Sequence, residues 1–254
     1  MKLFFSVFSI ILVASVLITL GLVLLRKHYV TPERLQEHLH PSVFTFFTAL
    51  YAFFLGFAIV TLWTAYLTAE SNVIREADAL LVAFRISKDL PNSEPFRQAL
   101  ADYVKSVVDD EWSKMGESSR MSGEAGRRLD VVWDRFHMMK PRDKGDNDLY
   151  VGISKSLGEA SRQRLSRASL VTGNLYPPVW VIIVFGFIMV LYGLHFHHLQ
   201  QNAVRIIFDF MVVFMLICCI YFIYDIDTPF SGYITVKPEV FQQILARMTV
   251  APPQ

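Results

Sequence analysis

Apolar positions along the chain gather in four long runs, two before and two after a polar stretch of about a hundred residues. Residues 3–25, 42–66, 175–197 and 203–226 each supply the ~20 apolar positions that carry a helix across ~30 Å of hydrocarbon. They predict four membrane spans. Between 67 and 174 the apolar residues instead recur at amphipathic helical spacing. Val73, Ala77, Leu80, Leu81 and Phe84 extend span two without a break signal to about Leu90-Pro91. Asn92 or Ser93 is placed to cap a second helix, with the stripe Phe96, Leu100, Tyr103, Val104, Val107, Val108 and Trp112, and Gly116 is expected to stop it. A third helix is expected from about Gly123 to Met139, with Leu129, Val132, Trp133 and Phe136 inward. A turn-rich loop over 141–146 leads to a fourth, from about Asp148 to Leu170, with Leu149, Ile153, Leu157 and Leu165 inward.

The predicted fold class is an all-α membrane protein: four transmembrane helices in a 2+2 arrangement with a helical extramembrane domain between spans two and three. Its divisions are 1–66, 67–174, 175–226 and a tail at 227–254 that Pro252 and Pro253 mark as frayed.

Composition supports a membrane location, with 53% hydrophobic residues and 21 phenylalanines in 254 residues. The formal net charge of +1 gives no reason to expect nucleic acid as a partner. Span one continues past signal-peptide length without a small-x-small cleavage site, so it is read as retained. An even number of spans puts both termini and the insert on one side. Near the membrane ends that side carries Lys2, Arg75, Arg85, Arg162, Arg164, Arg167 and Lys237, against Arg26, Lys27, Arg34 and Arg205, which favours a cytoplasmic insert.

Span two has one distinctive face. At about 100° per residue, Leu50, Phe54, Phe57, Thr61, Thr64 and Thr68 share a wedge about 80° wide, and Asn72 and Arg75 continue it. Several such helices around an axis would form apolar rings at Leu50, Phe54 and Phe57 that gate by dewetting, followed by rings of threonine. Aromatics at this spacing also serve as core packing, and membrane threonines bond back to their own carbonyls. On another side, Ala52 and Gly56 would admit a close neighbour.

Other chemistry is sparse. Arg205 and Asp209, one turn apart at the start of span four, are expected to pair, the alternative being a vestibule role for Asp209 in ion selectivity. Glu76, near the membrane, is a second vestibule candidate. His195, His197 and His198 lack a carboxylate or cysteine companion, so no metal or other cofactor is expected. No catalytic signature appears, which argues against an enzyme.

In order, Glu76-Ala77-Asp78-Ala79-Leu80, then Tyr103, Val107 and Glu111-Trp112, then Pro178 with Trp180, then Asp227-Thr228-Pro229-Phe230-Ser231-Gly232 resemble the bacterial bestrophin-like family. The resemblance runs from span two onward. It implies a homo-oligomeric ion channel, a pentamer by analogy, in a bacterial inner membrane, with inorganic ions as the permeant species and lipid around it. It maps a phenylalanine-rich neck onto Leu50, Phe54 and Phe57. Asp225, Asp227, Pro229, Phe230 and Gly232 look like the family's calcium-responsive clasp, although Tyr233-Ile234-Thr235-Val236 stands where further acidic residues belong. The competing expectation is a non-conducting membrane scaffold or sensor whose helical domain binds a protein partner.

Overall fold

The computed structural model describes residues 2–29, 41–196 and 203–249. Among them the secondary structure is helical: α1 (Lys2–Tyr29), α2 (Pro41–Ile86), α3 (Glu94–Ser106), α4 (Trp112–Ser118), α5 (Gly123–Met138), α6 (Lys144–Ser169), α7 (Pro177–Phe196), α8 (Ala203–Asp227) and α9 (Glu239–Thr249). Helices α1, α2, α7 and α8 are long and apolar enough to cross a membrane. His197, His198, Pro252 and Pro253 lie outside the described residues. The chain divides into two compact units, Met1–Trp63 with Leu175–Asp227, and Thr64–Asn174 with Thr228–Gln254.

In the first unit α1 packs mainly along α8. Glycines set the contact between α2 and α7. A Cβ on Gly186 would overlap the Tyr51 ring, and one on Gly193 would overlap the Phe44 ring. Each pair repeats after two helical turns on antiparallel helices, so two rings of α2 occupy two glycine seats on α7. Tyr51 also donates to the Ile183 carbonyl at 2.7 Å. Among the described residues no neighbour fills the close approach expected at Ala52 and Gly56: both are exposed, and nothing lies within 4 Å of a Gly56 Cβ.

The second unit has a water-soluble type of core. Phe96, Leu100, Val104 and Val107 on and beyond α3 share it with Val132 and Phe136 on α5, Ile153 and Leu157 on α6, and Val73, Ala77 and Leu80 on α2. A left-handed Asn92 turns the chain between α2 and α3. Ser93 occupies the cap position of α3 in helical geometry and makes no capping bond; its hydroxyl donates instead to the Ser87 and Leu90 carbonyls and ties the turn together. Ser122 does cap α5, accepting from Glu124 and Ala125 amides at 3.2 and 3.3 Å. Asp143 caps α6 by accepting from the Asp146 amide at 2.8 Å, which starts that helix ahead of the predicted point.

Gly116 does not end its helix, which runs on to Ser118 and stops at a left-handed Ser119. It provides room: a Cβ there would sit 3.3 Å from the Phe230 carbonyl oxygen. Leu165, expected inward, is 73% exposed. The buried stripe of α6 passes through Ile153, Leu157 and Ala160 to Arg167 instead. The segment after α8 is structured, because Phe230, Val236, Phe241, Ile244 and Met248 enter the second unit's core.

Candidate functional site along the second helix

Helix α2 is unbroken over 46 residues. Its contacts with its own chain lie along Tyr51, Leu55, Ala58, Leu62, Ala69 and Val73, all buried. The phenylalanine and threonine wedge lies on a different side, turned by roughly 100° at 3.6 residues per turn. Leu50 is 54% and Phe57 64% exposed, Phe54 is half-buried, and Thr61, Thr64 and Thr68 are exposed. Thr61 donates to the Phe57 carbonyl at 2.9 Å and Thr68 to the Thr64 carbonyl at 2.8 Å, so their hydroxyls are satisfied along the helix while the oxygen surface stays open.

Below Thr68 the expected face changes character. Arg75 is exposed, but Asn72 is buried, because it falls toward the side that meets the second unit's core. Glu76 is not on an open vestibule either. Its carboxylate is fully buried and holds Arg167 at both oxygens, Nε to Oε2 at 2.8 Å and Nη2 to Oε1 at 2.9 Å. Tyr103 donates to Oε1 at 3.0 Å.

Arg167 extends this into a network. Its Nη2 also reaches Glu111 Oε1 at 2.8 Å and its Nη1 the Met115 sulfur at 3.2 Å. The other oxygen of Glu111 accepts from Arg164 Nη2 at 2.6 Å and the Ser122 amide at 3.2 Å. Glu76, Glu111 and Arg167 have no exposed side-chain surface. Charges removed from water need this density of partners, since desolvation alone costs several kcal/mol per ion. Two aromatic rings close the site, with the Arg167 guanidinium 5.5 Å from the Trp112 ring and 5.7 Å from that of Phe241. Burial opposes the Arg167 charge, but Glu76 and Glu111 outweigh it and raise its pKa. Burial, then the Glu76 charge, pushes the Tyr103 phenol well above its usual range, so it remains a hydrogen-bond donor.

A π-helical turn at Val107–Glu111 joins α3 to α4. The extra residue in such a turn re-aims the side chains that follow it. Here the turn ends on the inward-pointing Glu111.

The segment after α8 was expected to form a clasp. Asp225 is buried and accepts from Tyr221 at 3.4 Å, while Asp227 accepts from the Leu175 amide at 2.7 Å. Pro229 and Phe230 are buried in the second unit, where the Pro229 carbonyl accepts from the Val236 amide at 2.8 Å. Gly232 turns at φ 92°, which explains glycine there. The Val236 carbonyl in turn accepts from the Trp112 indole at 3.2 Å, and Phe230 meets Trp112 edge to face. This segment therefore seats the tryptophan that covers Arg167. At the start of α8, Asp209 is buried and pairs with Arg205 at 3.7 Å, as its spacing suggested.

Arg164 and Arg167 are the residues that sequence reasoning missed. Both fall on the α6 stripe at the 157, 160, 164 and 167 positions, where a charge interrupts an apolar series. Glu76 does the same on the stripe of α2, and Glu111 on the stripe that continues from α3 into the π-helical turn.

The sequence profile of the Bestrophin-like domain matches residues 11–241. No curated protein matches the chain. Among solved structures, a bacterial bestrophin homologue from Klebsiella pneumoniae aligns with a TM-score of 0.71 at 16% identity, covering 96% of this chain and 99% of that one. A point variant of the Klebsiella homologue gives 0.71 at 15% identity, over 94% and 96% of the two chains. A second variant gives 0.70 at 14% identity, over 98% of each. The chain belongs to the bestrophin-like family.

Proposed function

We propose that this bestrophin-like protein is a homo-oligomeric ion channel of a bacterial inner membrane, with α2 lining a central path. The observation that carries this reading is the open wedge of α2. A single chain leaves Leu50, Phe57, Thr61, Thr64 and Thr68 uncovered on one side of its longest helix, and symmetric copies around an axis would bring those residues into rings. Leu50, Phe54 and Phe57 would form a dewetting constriction, and the threonines would face a hydrated ion. Ala52 and Gly56, also open, would let a neighbouring copy approach closely. The insert and both termini are assigned to the cytoplasm from the distribution of basic residues.

Ion flux from liposomes containing the purified protein tests the reading. Wild type should pass ions, and Phe57→Ala, with Phe54→Ala beside it, should raise the flux several-fold by widening the apolar ring. A stable monomer or dimer that is silent in all three forms would point to the scaffold instead.

A further inference from the structure

A buried ion cluster is a poor stabiliser, because apolar side chains of similar volume often serve as well or better. What it provides is direction. Glu76 engages Arg167 through both oxygens, and a bidentate carboxylate–guanidinium pair accepts little rotation. Glu76 is two helical turns from Thr68 on the same helix and within the same unit. Fixing the rotation of α2 at Glu76 therefore fixes the side toward which Thr64 and Thr68 point. The opposite end of the cluster is equally constrained, since Glu111 holds Arg167 and Arg164 while the π-helical turn, the Ser122 amide and the Trp112 and Phe241 rings hold the cluster in place.

We propose that Arg167 is a positioning residue for α2, whose fork on Glu76 and Glu111 sets the rotation of the segment bearing Thr64 and Thr68. The consequence for conduction rests on the channel reading above. The positioning itself does not.

The test uses the full chain, with Cys218→Ala and Cys219→Ala as background and spin labels on Thr68→Cys and Asp130→Cys, two exposed sites of the second unit. Labelled chains are diluted with unlabelled ones so that only distances within one chain are read. The parent should give a narrow distribution. The combined variant Glu76→Gln, Glu111→Gln, Arg164→Gln, Arg167→Met removes the four charges of the cluster while filling the space, and the width should at least double at unchanged assembly mass and helicity. Arg167→Lys keeps the charge without the fork and should broaden it as well; if the combined variant does not assemble, this second variant decides.

An unchanged width in the combined variant, or a parental width in Arg167→Lys, overturns the proposal. Currents from the same proteins keep the two readings apart. A silent parent with a broadened variant distribution refutes conduction and supports positioning. A conducting parent whose variants show parental widths does the reverse. Where the parent conducts, open probability should change at least ten-fold in the combined variant.

Discussion

The two units of this chain solve opposite packing problems. In the first, apolar side chains such as Phe46, Phe53, Val181 and Met215 point outward, and close contact between α2 and α7 comes from glycines that receive aromatic rings. In the second, phenylalanines such as Phe96 and Phe241 are fully buried, and so are three charged residues. Lipid removes the hydrophobic drive that water supplies, so helices within it are matched by shape. Water supplies that drive to the second unit, which can then carry the cost of a charge cluster that gives one segment a defined orientation. The contrast predicts that the sensitive positions of the first unit are its smallest residues and those of the second are large and charged.

The strongest way to break this contrast is to remove one charge from the cluster. Arg167→Ala leaves Glu76 and Glu111 buried without their main partner and should cost about 3–5 kcal/mol, read as a lower midpoint in denaturant unfolding of the detergent-solubilised protein. A loss below about 1 kcal/mol would show that the cluster is hydrated like a surface pair.

Next come the glycine seats. Gly186→Ala and Gly193→Ala force methyl groups into the Tyr51 and Phe44 rings and should each cost about 1–3 kcal/mol, seen as a fall in melting temperature. Gly21→Ala, with nothing within 4 Å of its Cβ, should leave it unmoved or raised. Equal effects at all three positions would remove shape matching as the explanation.

The smallest effect concerns pH. The Tyr103 phenol of the folded protein keeps its proton above the ordinary value of 10.0, because burial and then Glu76 disfavour the phenolate. Stability from this group is therefore complete below about pH 10 and declines as pH rises toward the folded value. Tyr103→Phe should lose about 1 kcal/mol at neutral pH with the bond to Glu76, and the gap to wild type should narrow above pH 10. A gap independent of pH would contradict the assignment.

Sequence periodicity carried much of the helical layout, because apolar runs and stripes report burial directly. Val132 and Phe136, or Leu100 and Val104, are inside for the reason their spacing suggests. Where periodicity was interrupted, the reading failed. From sequence, Arg164 and Arg167 read as charges near the membrane and Glu76 as a vestibule candidate, since composition cannot say that a charge on an apolar stripe has partners 91 residues away. Gly116 looked like a helix stop because a close backbone approach, here from Phe230, leaves the same sequence mark. Phe241, Ile244 and Met248 of α9 also recur at helical spacing, but three apolar positions in so short a helix are a weak periodic signal beside a proline-bearing tail.

The central claim is that the threonine side of α2 faces permeating ions. Bilayer recordings across a salt gradient, comparing wild type with Thr64→Glu and Thr64→Lys, test it most directly. The account predicts a current in wild type and shifts of the reversal potential in opposite directions for the two variants, the acidic one toward cations and the basic one toward anions. Absence of current from a correctly assembled oligomer, or identical reversal potentials in all three proteins, would contradict it.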